Sequence, residues 1–217
     1  MSKYRIAMEI AGPFAMWSRP DTGATPTSYP VPTWSAAKGI FESVAFFNDG
    51  KAWICPAKVQ ICKLRGSVGG EVNFQRYTNN YRGPLKNKKK ANFQFSSLIL
   101  SDVCYRLYAT VENGSGQHLQ HGNNPCHALK AIFERRLQKG QCYKTPALGW
   151  NEFVASYWGP LRNNNALIDA TEVDTDINLN LVSVLNQVFD KAVSGRYRPE
   201  FQHGQSAQVQ NGEFYYA

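Results

Sequence analysis

Apolar positions recur with two different periods along this chain, and the changes of period mark out its elements. Residues 3–11 alternate apolar and polar, as a strand does, and Gly12-Pro13 ends the run. Between Phe14 and Val31 the breakers Pro20, Gly23, Pro26 and Pro30 predict a loop. Pro30 and Pro32 then hold the chain extended, because the residue before each proline is pushed out of helical geometry. Thr33 can cap a helix with its hydroxyl, and Ala37, Ile40, Phe41, Val44 and Phe47 repeat at three- and four-residue steps along one stripe. Gly39 lies inside that helix, where it costs roughly 1 kcal/mol against alanine. It suits close passage of another backbone, or it is a glycine that an ordinary amphipathic helix tolerates.

Beyond this helix, residues 51–64 alternate around Pro56, which predicts one strand or a bulged pair. Residues 65–94 are rich in Gly, Asn and Lys without periodicity and read as a long mobile insertion. Residues 97–112 give the strongest strand, with Val103, Tyr105, Leu107 and Ala109 on one face. After a loop over 113–123, a second helix is punctuated by Asn124 at its cap, Pro125 at its first position and Gly140 at its end. Leu129, Ile132, Phe133 and Leu137 form its apolar stripe, which leaves His127, Lys130 and Glu134 on the polar side. Residues 148–157 read as a further strand. The order strand, helix, strand, strand, helix, strand predicts an α+β chain whose residues 1–158 form a ferredoxin-like βαββαβ domain of the kind RNA-recognition modules use. After Gly159-Pro160 the character changes. Asp169, Glu172, Asp174 and Asp176 alternate with apolar residues and are assigned to the wet face of a strand or turn rather than to a metal. Asn211-Gly212 is a two-residue hairpin signal, so 159–217 read as a small antiparallel β domain.

Charge changes this picture at one place. The chain's net charge is +8, and residues 51–90 alone carry a net +9, since Lys51, Lys58, Lys63, Arg65, Arg76, Arg82, Lys86, Lys88, Lys89 and Lys90 face one acid, Glu71, and the remainder is nearly neutral. Phe74, Tyr77 and Tyr81 are interleaved with these cations, which suits a single-stranded nucleic acid whose bases can stack; a solvated basic loop is the alternative. Five cysteines at 55, 62, 104, 126 and 142 show no CxxC spacing, which argues against a disulfide framework and a structural zinc site. No apolar run approaches the ~20 residues that span a bilayer, and charges interrupt the first ten residues. The expectation is a cytoplasmic protein with reduced thiols, no membrane partner and no cofactor.

Three stretches together resemble a known family: Gly12-Pro-Phe-Ala-Met-Trp-Ser-Arg-Pro20, Ser28-Tyr-Pro-Val-Pro-Thr-Trp-Ser-Ala-Ala-Lys-Gly-Ile-Phe-Glu-Ser43, and Phe133-Glu-Arg-Arg-Leu-Gln-Lys-Gly-Gln-Cys142 continuing to Leu148-Gly-Trp-Asn-Glu-Phe153. Their order and spacing resemble the d variant of the CRISPR-associated Cas-five family, a RAMP-superfamily subunit of type I-C systems. The resemblance implies a metal-independent endoribonuclease that cuts the repeat of a CRISPR precursor RNA. It also implies that the protein stays on the 5′ handle of the guide RNA, beside the backbone and large subunits of the interference complex, with double-stranded DNA a further candidate partner. Such a reaction needs a base for the attacking 2′-hydroxyl, an acid for the leaving oxygen and a cation near the phosphorane.

The family's catalytic tyrosine late in the first helix falls on Ala45 here, and its Lys-His pair falls near Pro125-Cys126-His127. His127 is therefore the candidate for proton transfer, with Lys130 one turn beyond as its cationic partner. Lys130 paired with Glu134 at the four-residue offset is the alternative. His118 and His121 are substitutes, Tyr29 or Tyr143 could supply a phenol, and Cys142 reads as packing. The candidate RNA contacts are Arg19, Lys38, Arg65, Arg76, Arg82, Lys88, Lys89, Lys90, Arg135 and Arg136. The loss of the tyrosine at Ala45 keeps open a non-catalytic, handle-binding scaffold.

Overall fold

The computed structural model describes residues 4–81, 93–114, 124–164, 169–189 and 197–217. It is a mixed α/β structure dominated by an antiparallel sheet. The strands are β1 (Arg5–Ala15), β2 (Ala52–Leu64), β3 (Phe74–Tyr81), β4 (Phe93–Asn113), β5 (Tyr157–Gly159), β6 (Thr171–Val173), β7 (Leu179–Asn180), β8 (Ser183–Phe189), β9 (Tyr197–His203), β10 (Gln208–Val209) and β11 (Glu213–Tyr215). The helices are α1 (Trp34–Val44) and α2 (Pro125–Lys139). The main sheet has seven strands in the order β11-β2-β4-β1-β5, with β3 added to β4 and β6 to β2. Two small ribbons, β7 with β10 and β8 with β9, complete the C-terminal part.

Both helices begin where their sequence dictates and α2 also ends there, but α1 stops at Val44 with Ala45 extended, so Phe47 lies beyond the helix whose stripe it was expected to continue. The Thr33 hydroxyl accepts from the Ala36 N–H at 3.2 Å. The Asn124 side chain accepts from the Cys126 and His127 N–H groups, at 3.0 and 3.4 Å. Gly140 closes α2 in the left-handed conformation, φ 63°, which a side chain would strain. That turn lets the Gln141 N–H reach the Arg136 carbonyl at 2.9 Å. Ala37, Ile40, Phe41 and Val44 of α1 and Leu129, Phe133 and Leu137 of α2 are buried in one core with Ile6, Met8 and Ile10 of β1 and Leu107 of β4. The Phe41 and Phe133 rings meet 5.6 Å apart. Each such side chain contributes about 1.5–3 kcal/mol on burial.

The second face of the sheet is buried only along a polar rank at its middle. Glu9 alternates with Met8 and Ile10 and so points away from the helices. Strand register sets Glu9 beside Arg106, Arg106 beside Gln60 and Gln60 beside Glu213, a polar rank across β1, β4, β2 and β11. Glu9 is fully buried, and its carboxylate accepts from Arg106 Nε at 3.2 Å, Arg162 Nε at 2.7 Å, the Arg162 backbone N–H at 3.1 Å and Thr171 Oγ1 at 2.8 Å. Arg106 Nη2 donates to the Thr171 carbonyl at 2.7 Å. The chain beyond β5 is thereby clamped onto the sheet.

Four further local expectations are corrected. Within 65–94, β3 and the start of β4 form a hairpin from Phe74↔Leu100 to Tyr81↔Phe93. Phe74, Gln75, Arg76, Thr78 and Asn80 of β3 are exposed and Tyr77 alone turns its ring inward onto Phe153, so the strand carries too few apolar inward positions to imprint an alternation on the sequence. β4 begins at Phe93 rather than Ser97 and bends at Asp102, a non-glycine residue at φ 52°. Residues 148–153 are a tight turn, with the Phe153 N–H on the Trp150 carbonyl at 3.0 Å. Gly149 permits it: a Cβ there would stand 1.8 Å from the Met16 carbonyl oxygen. The strand comes later, as β5. Finally, Asp174 is buried, and its Oδ2 accepts from the Gly70 N–H at 2.8 Å. Elsewhere, the bulged-strand reading of 51–64 holds as a single strand, β2, whose register shifts between Pro56 and Lys58. Asn211 and Gly212 both adopt positive φ and join Gln210 to Glu213 through paired backbone bonds. Among the described residues, no helix is long and apolar enough to cross a membrane.

Candidate active site at the start of helix α2

The β1 and β4 strands run antiparallel, with Arg5 opposite Thr110, so the start of β1 lies beside the end of β4. Just beyond that end, Asn124 and Pro125 start α2. The Tyr4 carbonyl accepts the Val111 N–H at 2.8 Å and pins the residue that precedes β1. From the other side, Asn124 Nδ2 donates to Tyr4 Oη at 2.7 Å. The buried Cys126 thiol bonds Asn113 Oδ1 at 3.0 Å, so the first turn of α2 is fastened at two points. Burial pushes the Cys126 thiol up, against any thiolate role.

His127 projects from that turn, exposed, and its ring stands edge-on to Tyr4 with centroids 6.5 Å apart and planes at 81°. Lys130 follows one helical turn later on the same side, half-buried, with Nζ 3.6 Å from the Glu134 carboxylate. An imidazole and a phenol thus meet at one wet corner with an ammonium one helical turn beyond, the kinds of group that a proton-transfer site for a phosphodiester requires.

The other candidates are distributed over the molecule. Arg19 follows β1 and is held by Asp21, Nη2 to Oδ2 at 2.7 Å, with its guanidinium 5.5 Å from the Tyr29 ring. Lys38 pairs with Glu42 along α1. Arg65, exposed just after β2, gives its backbone N–H to the Ala170 carbonyl at 2.9 Å. Arg76 is exposed on β3 and Arg135 on α2. Arg136 donates Nη1 to the Val44 carbonyl at 2.7 Å and so ties the two helices together. Arg82, Lys88, Lys89, Lys90, His118 and His121 lie outside the described residues.

Neither phenol considered from sequence joins His127. Tyr29 is buried, its Oη accepts from the Leu185 N–H at 3.3 Å, and burial pushes its phenol up. Tyr143 follows the far end of α2 and packs on Phe46 at 4.9 Å. Ala45 is buried, its N–H bound to the Phe41 carbonyl at 3.2 Å. Cys142 is half-buried. Beyond its own helix turn, no atom of the described residues lies within 4 Å of where a Cβ of Gly39 would stand, so none of them uses the space it leaves. The residue that sequence reasoning missed is Tyr4. Its only signal is topological: once β1 pairs with the strand that leads into α2, the residue before β1 must stand at the start of α2.

Comparison with known proteins gives a consistent answer. The family model for CRISPR-associated protein Cas5, in its Cas5d form, matches residues 6–197. A Thermus thermophilus protein named CRISPR pre-crRNA endoribonuclease Cas5d is 30% identical over 202 residues, covering 90% of this chain and 77% of its own. One of the same name from Mannheimia succiniciproducens is 24% identical over 237 residues, covering 96% and 92%. Among solved structures, a crystal structure of a CRISPR-associated protein superposes with a TM-score of 0.65 at 17% identity, covering 98% of this chain and 91% of its own. A chain of a CRISPR RNA-guided surveillance complex gives 0.50 at 17% identity, covering 97% and 91%. At those identities the superpositions speak to fold alone.

Proposed function

The chain belongs to the CRISPR-associated Cas5 family in its Cas5d form, and from that membership we propose that it is a metal-independent endoribonuclease that cuts CRISPR repeat RNA. The observation that carries this reading is the 30% identity, over 90% of the chain, to a protein named a pre-crRNA endoribonuclease. The corner at the start of α2 suits the chemistry. His127 takes the proton of the 2′-hydroxyl, the 2′ oxygen attacks the adjacent phosphorus, and Lys130 stands by the negative charge that grows on the phosphorane.

In this reading residues 1–158 form a ferredoxin-like domain, supported by the antiparallel order β2-β4-β1-β5 with α1 and α2 between its strands. Residues 159–217 form a small β domain, supported by the ribbons β7/β10 and β8/β9 and docked through β6 and β11 on β2. Arg19, Lys38, Arg65, Arg76, Arg82, Lys88, Lys89, Lys90, Arg135 and Arg136 are assigned to the sugar–phosphate chain. After cleavage the protein holds the 5′ handle in the cytoplasm beside other subunits of a type I-C complex, where double-stranded DNA is a further partner. A second reading, a handle-binding scaffold without catalysis, draws support from Ala45, buried and without a hydroxyl.

Incubation of the full chain in EDTA with synthetic type I-C repeat RNA, and with the same RNA carrying a 2′-deoxy sugar at the mapped cut, separates the two. Cleavage of the first RNA alone is expected. Tight binding without cleavage of either leaves the scaffold.

A further inference from the structure

We propose that Tyr4 is the general acid of this site, the group that protonates the leaving 5′ oxygen; the assignment rests on the endoribonuclease reading above. Three observations carry it. First, the orientation of the Asn124 amide is fixed by its capping role. Its oxygen receives the Cys126 and His127 N–H groups, so its nitrogen is the atom directed at Tyr4 Oη, 2.7 Å away. The phenol oxygen is therefore the acceptor in that bond, which does not consume the hydroxyl's own hydrogen. Second, the edge-to-face contact with His127 sets the phenol and the imidazole side by side, with a single ring-width between their centroids at 6.5 Å. A phosphodiester that presents its 2′-hydroxyl to His127 brings its 5′ oxygen to the neighbouring group. Third, Tyr4 is anchored twice over, by its carbonyl on the Val111 N–H at 2.8 Å and by its hydroxyl on Asn124, so the donor is held before substrate arrives.

The chemistry closes. His127 accepts the proton of the 2′-hydroxyl as the bond from O2′ to phosphorus forms. The bond from phosphorus to O5′ breaks, and the Tyr4 proton passes to that oxygen. The products are a 2′,3′-cyclic phosphate and a free 5′-hydroxyl, and solvent returns one proton from His127 to the phenolate. A phenol carries its proton at neutral pH and is far more acidic than the sugar alcohol it serves, so it suits the role of acid better than that of base.

The test compares wild type with Tyr4→Phe, which keeps the ring against His127 and removes the oxygen alone. Single-turnover cleavage is measured on repeat RNA and on the same RNA with sulfur in place of the scissile 5′ oxygen, a leaving group that departs without a proton. The expected result is a loss of about 10²-fold on the oxygen substrate, within the range of general acid catalysis, and a rate within about threefold of wild type on the sulfur substrate, at unchanged RNA affinity. An unchanged rate on the oxygen substrate overturns the assignment while leaving the nuclease intact. So does an equal loss on both substrates, since a merely structural tyrosine would slow them alike. If wild type cleaves neither RNA, the endoribonuclease reading falls and this assignment falls with it.

Discussion

The two faces of the main sheet are held by opposite means. The face under α1 and α2 is a continuous apolar core around Met8, Leu107, Phe41 and Phe133. The other face buries the rank Glu9, Arg106 and Gln60, and there the later chain is fastened by Arg162 and Thr171. Apolar contacts are non-directional and tolerate repacking, so the helix face is specified by pattern and volume. A buried carboxylate between two guanidinium groups is directional, and each partner is costly without the others. The helix face thus positions His127 by holding α2, while the polar face decides where residues beyond β5 return.

Removing Glu9 is the strongest way to break this contrast. Glu9→Ala leaves Arg106 and the Arg162 head group, 13% exposed at its side chain, without their shared anion. The expected loss is about 3–5 kcal/mol, with amide exchange at Thr171–Val173 accelerating more than that of α2. A loss below about 1 kcal/mol with undisturbed exchange at β6 would show that the cluster does not clamp the C-terminal part. On the opposite face, Leu129→Ala removes a fully buried side chain and should cost about 2–4 kcal/mol. Here the drop in denaturation midpoint should come without selective loss of β6 protection. If β6 opens first in that variant too, the two faces act as one unit and the contrast drawn here is wrong.

How far each face could be read in advance follows from the same physics. The helix-covered face leaves its mark on local sequence, since Thr33, Asn124, Pro125 and Gly140 bound two amphipathic stripes that need no knowledge of partners. The polar face leaves none. Glu9, Arg106 and Thr171 are separated by most of the chain, and only strand register brings them together. The composition change at Gly159-Pro160 is visible, but the return of β6 and β11 to β2 is not. Asp174 resembled a wet-face acid because nothing local announces the Gly70 N–H that donates to it. In the site, helical period alone set His127 and Lys130 on the solvent side, whereas Tyr4 needed the pairing of β1 with β4.

The outer end of the polar rank offers the mildest test, and it is one of pH. Burial alone would push the Glu213 carboxyl up, but donors from Tyr215, Gln60 and Lys58 outweigh it and hold the group below its ordinary value. The Lys58 ammonium stands 2.9 Å from Oε1 and the Tyr215 hydroxyl 2.6 Å from Oε2. A carboxyl whose folded value is depressed contributes stability that is fully present above its unfolded value, near 4.3, and is lost as pH falls through the folded one. Glu213→Gln keeps the shape and removes the charge, so at pH 7 it should be less stable than wild type by under about 1 kcal/mol, the range of a partly solvated pair. Between pH 5 and 2 the gap should close, because protonation does to wild type what the substitution did to the variant. Urea denaturation of the two across that pH range measures the gap; one that stays constant to pH 2 would mean that the donors around Glu213 serve its shape rather than its charge, and that the rank's ionic character ends at Arg106.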